Sequence, residues 1–289
     1  MKIINVKPLI IIPVGIGLIF SMLINGWSLL TGGANIHLEF LNNYNRTPFQ
    51  NYPSFFTFLM YLSAILQLLA ALLLAVSFIK REFLGAKNAL FFKWGVFFAI
   101  LAVTIYGFMV RIMSNHGAAA TLFFYVGLLY FCLWFVEKKK ENLNTGLFRK
   151  IKIIPIYATL FYTMGFPGWQ KLVNSAEVMG NYGKLFSNSF LSKMPGGIEP
   201  FIYFLGFLEI LVPILLIISL SKKEFLLDKH PLILDLSLLV CVTTFIMLCF
   251  GLSVVLNYPG ATNLIFYGLF TLAFYSYIND AKTSICNIE

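Results

Sequence analysis

Long apolar windows dominate this sequence and leave it few folds. A membrane core about 30 Å thick needs about 20 apolar residues per crossing helix, and eight windows reach that length. Hydrophobic residues make up 59% of the 289-residue chain and charged residues 11%, whereas soluble domains carry about 25% charged residues. The sequence therefore predicts an integral membrane protein and excludes a soluble or disordered chain. The windows lie near residues 8–30, 55–79, 89–110, 118–136, 153–169, 201–220, 232–256 and 262–279.

These windows predict helices rather than strands. An open sheet leaves backbone groups unpaired in lipid, and no window alternates apolar and polar residues with a period of two. The expected fold class is an all-α integral membrane protein with eight transmembrane helices. The first window follows Lys2 and Lys7, as a secretory signal would, but it exceeds the about 7 to 15 apolar residues of a signal core. We therefore expect it to be retained as a transmembrane helix.

The placement of basic residues predicts the topology. The chain carries 21 Lys+Arg against 12 Asp+Glu, and short Lys/Arg-rich connections remain in the cytoplasm. Because the surplus is spread between apolar windows, it indicates orientation and not nucleic-acid binding. The sequence predicts a multi-pass protein of the inner (plasma) membrane with both termini in the cytoplasm. The basic connections are 80–87, 137–152 and 222–229, and the others are 31–54, 111–117, 170–200 and 257–261.

The two halves of the sequence resemble each other at a constant offset of 142 residues. Four spans in each half give both halves the same orientation, as in parallel repeats related by a pseudo-twofold axis along the membrane normal. We expect two parallel four-helix repeats, residues 1–137 and 153–289, joined by a basic linker, 138–152. Short apolar stretches around 36–49 and 178–191 are expected to form surface-lying or re-entrant helices over each bundle. The matched residues include Gly26-Trp27 with Gly168-Trp169, Arg81-Glu82-Phe83-Leu84 with Lys223-Glu224-Phe225-Leu226, and Asn115 with Asn257.

Glu209 is the strongest candidate for a functional residue, because it is expected near mid-membrane depth. It lies about eight residues into its window, or about 12 Å at 1.5 Å per residue. A charge at that depth costs at least about 2.5 to 3.5 kcal/mol, and such residues mark functional sites. The equivalent residue in the first half is Gln67. Two interpretations of Glu209 stay open: a contact for a proton or a ligand headgroup, or a protonated buried carboxyl with a structural role.

Lys171 ends the preceding helix, two residues beyond the window 153–169 and close to the interfacial Trp169. Helix rise places it about 10 Å from Glu209 in depth, a separation that two long side chains only just bridge, directly or through water. Glu199, at the mouth of the Glu209 helix, is the closer expected partner. Lys171 is then either a site residue or a lysine that reaches toward the interface. The candidate site comprises Glu209, Lys171, Gln67, Glu199 and Trp169.

Other chemistries lack the residues they need. His37, His116 and His230 lie outside the windows, which argues against bis-histidine haem ligation. The four cysteines form no CxxC pair, so neither a thiol redox motif nor a zinc site is expected, and we predict no metal. The 31 Phe and 14 Tyr residues would suit a quinone ring, although aromatic residues in membrane helices mostly serve packing.

In the second half, Gly168-Trp169-Gln170-Lys171 is followed after a polar loop by Gly206-Phe207-Leu208-Glu209. On these residues it resembles the DoxX-type four-helix membrane proteins, a family that includes DoxD and MauE types. That family has a Gly-x-x-Lys near the end of its first helix and a Gly-x-x-Glu in its second. The resemblance covers 150–279; in the first half Leu29 and Gln67 replace the Lys and Glu. It implies a quinone-linked or oxidoreductase-associated membrane subunit, with a redox or assembly-complex protein as partner and a quinone as cofactor.

Two other functions stay open. One is a small-solute or lipid transporter in which the bundles rock about the pseudo-twofold axis, although such transporters place more polar groups at the midplane. The other is a non-catalytic membrane scaffold. The residues leave open whether the chain is an enzyme.

Overall fold

The computed structural model describes residues 11–32, 51, 53–82, 89–138, 146–173, 175–226 and 231–286, and no strand occurs among them. The long helices form where the apolar windows lie, because a helix satisfies its own backbone polar groups in lipid. Short 3-10 turns occur at Phe190–Lys193 and Glu224–Leu226. The helices are α1 Ile11–Thr31, α2 Pro53–Ile79, α3 Leu90–Ile112, α4 His116–Lys138, α5 Gly146–Ile151, α6 Ile154–Val173, α7 Ser175–Phe186, α8 Glu199–Ser221, α9 Leu232–Val254 and α10 Tyr258–Cys286.

Seven helices in the described part of the chain are long and apolar enough to cross a membrane: α1 to α4 and α8 to α10. The prediction of an all-α, multi-pass membrane protein is therefore confirmed. The remaining predicted span, 153–169, coincides with α6, a helix of 20 residues that is not among those seven. Polar Gln170 and Lys171 in its last turn lower its mean hydropathy.

The chain divides into two compact units, residues 1–145 and 146–289. In unit 1, each of the helices α1 to α4 packs against the next along the chain. The first and last of them are joined by the hydroxyl of Tyr125, which donates to Ser21 Oγ over 3.0 Å. Unit 1 is therefore a four-helix bundle with its helices in sequential order.

Unit 2 contains α5 to α10, and its long helices pack in the order α6, α8, α9 and α10. Part of the predicted linker forms α5, whose Phe148 is buried. Just beyond α5, the ammonium of buried Lys152 lies 5.0 Å from the ring centre of Tyr277 on α10. The predicted surface helix around 178–191 corresponds to α7 and the 3-10 turn after it, whereas its counterpart around 36–49 lies outside the described residues.

A carboxylate fixes the turn between α2 and α3. Glu82 accepts hydrogen bonds from the Ser77 hydroxyl at 2.8 Å and from the backbone N–H of Phe92 at 3.0 Å and Phe91 at 3.3 Å. The first N–H groups of a helix lack partners within it, and a negative charge there is also favoured by the helix dipole. Glu82 thus joins the end of α2 to the start of α3.

The same arrangement occurs 142 residues further along, between α8 and α9. Glu224 accepts from the Ser219 hydroxyl at 2.7 Å and from the N–H of Leu234 at 2.8 Å and Ile233 at 3.2 Å. In both turns the residue before the glutamate has a left-handed backbone, with φ of 52° and 59°. Each contact in one turn therefore has a counterpart in the other.

The connections from α3 to α4 and from α9 to α10 also correspond. Ser114 and Leu256 have φ of 58° in both. The next residues, Asn115 and Asn257, each place a side-chain oxygen on a backbone N–H three residues on, at 3.2 and 3.1 Å. An asparagine in this position caps the helix that follows it.

Candidate site: a buried lysine–glutamate pair in unit 2

Lys171 and Glu209 form a buried ion pair between α6 and α8. The Lys171 ammonium donates to both carboxylate oxygens of Glu209, at 2.5 and 2.6 Å. The side chains are 5% and 3% exposed, respectively. Charged side chains inside a protein need a partner of opposite charge, since an unpaired buried charge is very costly. The bidentate contact meets that need for both residues.

Two glycines bring the paired helices close together. A Cβ atom at Gly168 on α6 would lie 2.8 Å from Glu209 Cβ and 3.0 Å from the backbone nitrogen of Ile210. A Cβ atom at Gly206 on α8 would lie 3.0 Å from Lys171 Cβ. Small residues allow membrane helices to approach in this way. The Gly-x-x-Lys and Gly-x-x-Glu motifs therefore hold the two helices and the ion pair in one contact.

The pair is closer than helix rise predicted. The expected depth difference was about 10 Å, whereas in the structure α6 continues to Val173 and Lys171 lies within its last turn. Lys171 lies level with Gly206, only three residues or about 5 Å along the axis from Glu209. Glu199, expected as the closer partner, is exposed in the first turn of α8.

Trp169 lies outside the ion pair, with 61% of its surface exposed. Its repeat counterpart, Trp27, has the same exposed fraction. Amphipathic indole rings of this kind favour the membrane–water interface. The structure therefore brings Lys171 and Glu209 together and leaves Trp169 on the outer surface of the bundle.

Prolines flank the pair within both helices. Pro167 lies inside α6 and Pro213 inside α8, and both helices continue through them. Proline has no N–H, so Pro213 cannot bond the backbone carbonyl of Glu209, and Pro167 cannot bond that of Thr163. Gly165 lies opposite Pro213, whose Cγ would be 3.7 Å from a Cβ atom there. The first half has Asn25 and Ala71 at the proline positions.

Unit 1 has no charge pair at the equivalent position. Gln67 is buried, and its amide donates to Ser63 Oγ at 3.2 Å, while Ser63 donates to the carbonyl of Ala102 on α3 at 3.0 Å. A Cβ atom at Gly26 would lie 3.0 Å from Gln67 Cβ, so the close helix approach is the same. Leu29 stands where unit 2 has Lys171. The bundle thus closes with or without a charge pair.

Cys241 on α9 is a buried residue of unit 2 outside the predicted candidate site. It is fully buried, and its thiol hydrogen-bonds the side chain of Thr271 on α10. The equivalent residues of unit 1 are Ala99 and Leu129.

The arrangement does not suggest a metal centre. Within the described ranges, no three His, Cys, Asp or Glu side chains are grouped so that they could hold a metal ion. His116 lies beside Arg111, with Nδ1 3.0 Å from the guanidinium. Lysine is not a metal ligand in its charged form; the groups that the Lys171–Glu209 pair offers are charged hydrogen-bond donors and acceptors.

An apolar cluster covers one end of unit 2, the end at which α6 ends and α8 begins. We call this end of the unit the lid end. The lid consists of α7 and the 3-10 turn that follows it. Its contacts are with the start of α8 and with the residues at and just after the end of α9. The cluster consists of buried Phe186, Leu191, Ile198 and Ile202, with Val178, Met179, Tyr182, Val254 and Val255 packed against them.

Fold and site together define an all-α, multi-pass membrane protein whose second unit holds a buried ion pair between α6 and α8. No family model, curated protein or solved structure matches the chain.

Proposed function

We propose that the chain is a DoxX-like polytopic inner-membrane protein that serves as a quinone-linked membrane subunit of an oxidoreductase complex. In this proposal the Lys171–Glu209 pair contacts the quinone headgroup or carries its proton. The observation that most supports this proposal is the bidentate, buried contact between the two side chains. The quinone link comes from the resemblance of the Gly-x-x-Lys and Gly-x-x-Glu motifs to that family.

The comparison of the two units supports a functional role for the pair. Unit 1 closes the same glycine-mediated helix contact with Gln67 and without a lysine. A buried ion pair is also a poor source of stability, because desolvation of both charges offsets their attraction. Folding does not require this pair, and charges are costly at its position. Both points favour a role for the pair in chemistry or recognition.

The proposal includes eight spans arranged as two four-helix repeats, with α6 as the eighth. Its support is the series of contacts that recur at one offset, above all the glutamate turns at Glu82 and Glu224. Pairing with Glu209 neutralises the charge that lowers the hydropathy of α6. The positive-inside pattern of the connections favours both termini in the cytoplasm.

Bound quinone is the direct test of this function. The protein is purified into lipid nanodiscs from its native membrane, and the quinone extracted from it is counted per chain. A Glu209→Gln variant is compared with Gln67→Leu, which removes a buried polar side chain at the equivalent place in unit 1 and leaves the ion pair intact. We expect about one quinone per chain in the wild type and in Gln67→Leu, and a large loss in Glu209→Gln. Equal quinone content in all three, or none in the wild type, would contradict the proposal.

The two helix-interior prolines favour a second candidate, a small-solute or lipid transporter. Transporters interrupt helices beside midplane sites, where freed backbone carbonyl groups line the path. Pro167 and Pro213 lie one turn from Lys171 and Glu209, and the first half has neither proline. Proteoliposomes without bound quinone would then accumulate a small solute or exchange a labelled lipid between leaflets. Absence of both activities removes this candidate.

A further inference from the structure

The lid and the ion pair lie on one face of α8. Ile202, Gly206 and Glu209 are spaced by four and three residues, which places them on the same side of a helix, and all three are buried. Ile202 belongs to the apolar cluster of the lid. On this face of α8, Ile202 of the cluster therefore lies between the ion pair and the lid end.

The chain connects the lid closely to the pair. α7 begins four residues after Lys171 and ends at Phe186, whose ring lies 3.6 Å from the Cβ position of Gly251 on α9. At its other end, the lid meets α8 through Gly196 and Gly197, which have φ of +81° and +65°. Such backbone angles are freely available to glycine, so this junction can change conformation at little steric cost.

We propose that α7 and its 3-10 turn form a gate that opens at the lid end and admits a polar or ionisable headgroup to the Lys171–Glu209 pair. The closed state is the one described, in which the ring of Phe186 packs with its apolar neighbours between α7, the start of α8 and the end of α9. Opening separates the apolar cluster while the four long helices stay packed. The inference concerns access to the pair and is independent of whether the ligand is a quinone.

The energetic balance suits a gate. The lid helix carries exposed, polar or small residues over most of its surface, and its apolar contacts are confined to one side. Surface segments with few buried contacts open locally at lower free energy than the bundle unfolds. Loss of one large ring from the cluster should therefore raise the open population without unfolding unit 2.

Acylation of lysine amines in proteoliposomes tests the gate. A small acylating reagent is applied, and the rate of modification at Lys171 is followed by mass spectrometry. Phe186→Ala is compared with Phe190→Ala, a matched ring in the same segment that is 56% exposed. We expect Phe186→Ala to raise the Lys171 rate at least about tenfold and Phe190→Ala to leave it unchanged.

Lys152, buried near the opposite end of unit 2, distinguishes gating from unfolding. A rate increase at Lys171 with Lys152 unchanged supports the gate. An increase at both lysines, or at neither, overturns it. Leu191→Ala removes a smaller side chain from the same cluster and is judged by the same criterion, so that a folding defect in one variant does not decide the result.

Discussion

Lys171 and Glu209, 38 residues apart in sequence, form a bidentate ion pair that is almost completely buried between α6 and α8. The contact depends on two glycines that let the helix backbones approach, one on each helix. Each charge is tolerated in the bundle because the other is present.

Loss of one charge should destabilise unit 2 more than loss of both. Glu209→Gln leaves the buried ammonium uncompensated, and Lys171→Leu does the same to the carboxylate, each costing about 3–5 kcal/mol. The double variant copies Gln67 and Leu29 of unit 1 and should recover most of that loss. The measurement is the apparent unfolding temperature in detergent for both single variants and the double. If the double variant lost as much stability as the two single variants together, the two charges would not be stabilising each other.

The glycine contact should not tolerate a methyl group. Gly168→Ala places a Cβ atom 2.8 Å from Glu209 Cβ and 3.0 Å from the backbone nitrogen of Ile210, so the helices must separate, at a cost of about 1–3 kcal/mol. The control is Gly17→Ala on α1, where nothing lies within 4 Å of the added carbon. There the better helix propensity of alanine should raise stability by up to about 1 kcal/mol. Equal effects at both sites would refute the close approach.

The glutamate turns should contribute equally in the two units. Glu82→Gln and Glu224→Gln each replace a carboxylate that accepts hydrogen bonds from one hydroxyl and two backbone N–H groups. We expect a loss of about 1–3 kcal/mol at each position. Glu177→Gln, at an exposed position on α7, should change stability by less than about 0.5 kcal/mol. Thermal unfolding in detergent compares the three variants, and a neutral result at Glu82 or Glu224 would contradict the role of that turn.

The left-handed residue between α9 and α10 should favour glycine. Leu256 has φ of 58° and is 68% exposed, so Leu256→Gly relieves backbone strain with little loss of buried surface. The expected gain is up to about 1 kcal/mol, after allowing for the entropy of glycine in the unfolded chain. The neighbouring Val255→Gly, at φ of −96°, should instead lower stability. A lower unfolding temperature for Leu256→Gly would contradict this account of the turn.

The helices could be predicted from hydropathy because each transmembrane helix must supply its own apolar length. The predicted windows at 55–79 and 201–220 agree closely with α2 and α8. The end of α6 was less predictable, since Gln170 and Lys171 resemble an interfacial boundary in sequence. Tertiary pairing with Glu209 keeps that turn helical and buried.

The pairing itself could not be derived from one sequence. Depth estimated from helix rise favoured Glu199 as the partner of Lys171, because the stagger between two helices depends on how their surfaces interlock. In the structure, Gly168 packs against Glu209 and Gly206 against Lys171. The roles of Glu82 and Glu224 were also missed, although their recurrence within basic connections was visible in the aligned halves. A negatively charged residue that recurs in two otherwise basic turns indicates a structural contact rather than a role in setting membrane orientation.

The Lys171→Leu/Glu209→Gln double variant gives the most direct test of the central claim that the pair serves function and not folding. Quinone-dependent electron transfer is measured in membranes that contain only this variant, beside wild type and Gln67→Leu, with the amount of folded protein in each membrane determined. The account predicts that the double variant is present and folded at near wild-type amounts but loses activity, while Gln67→Leu keeps it. Full activity in the folded double variant would contradict the account.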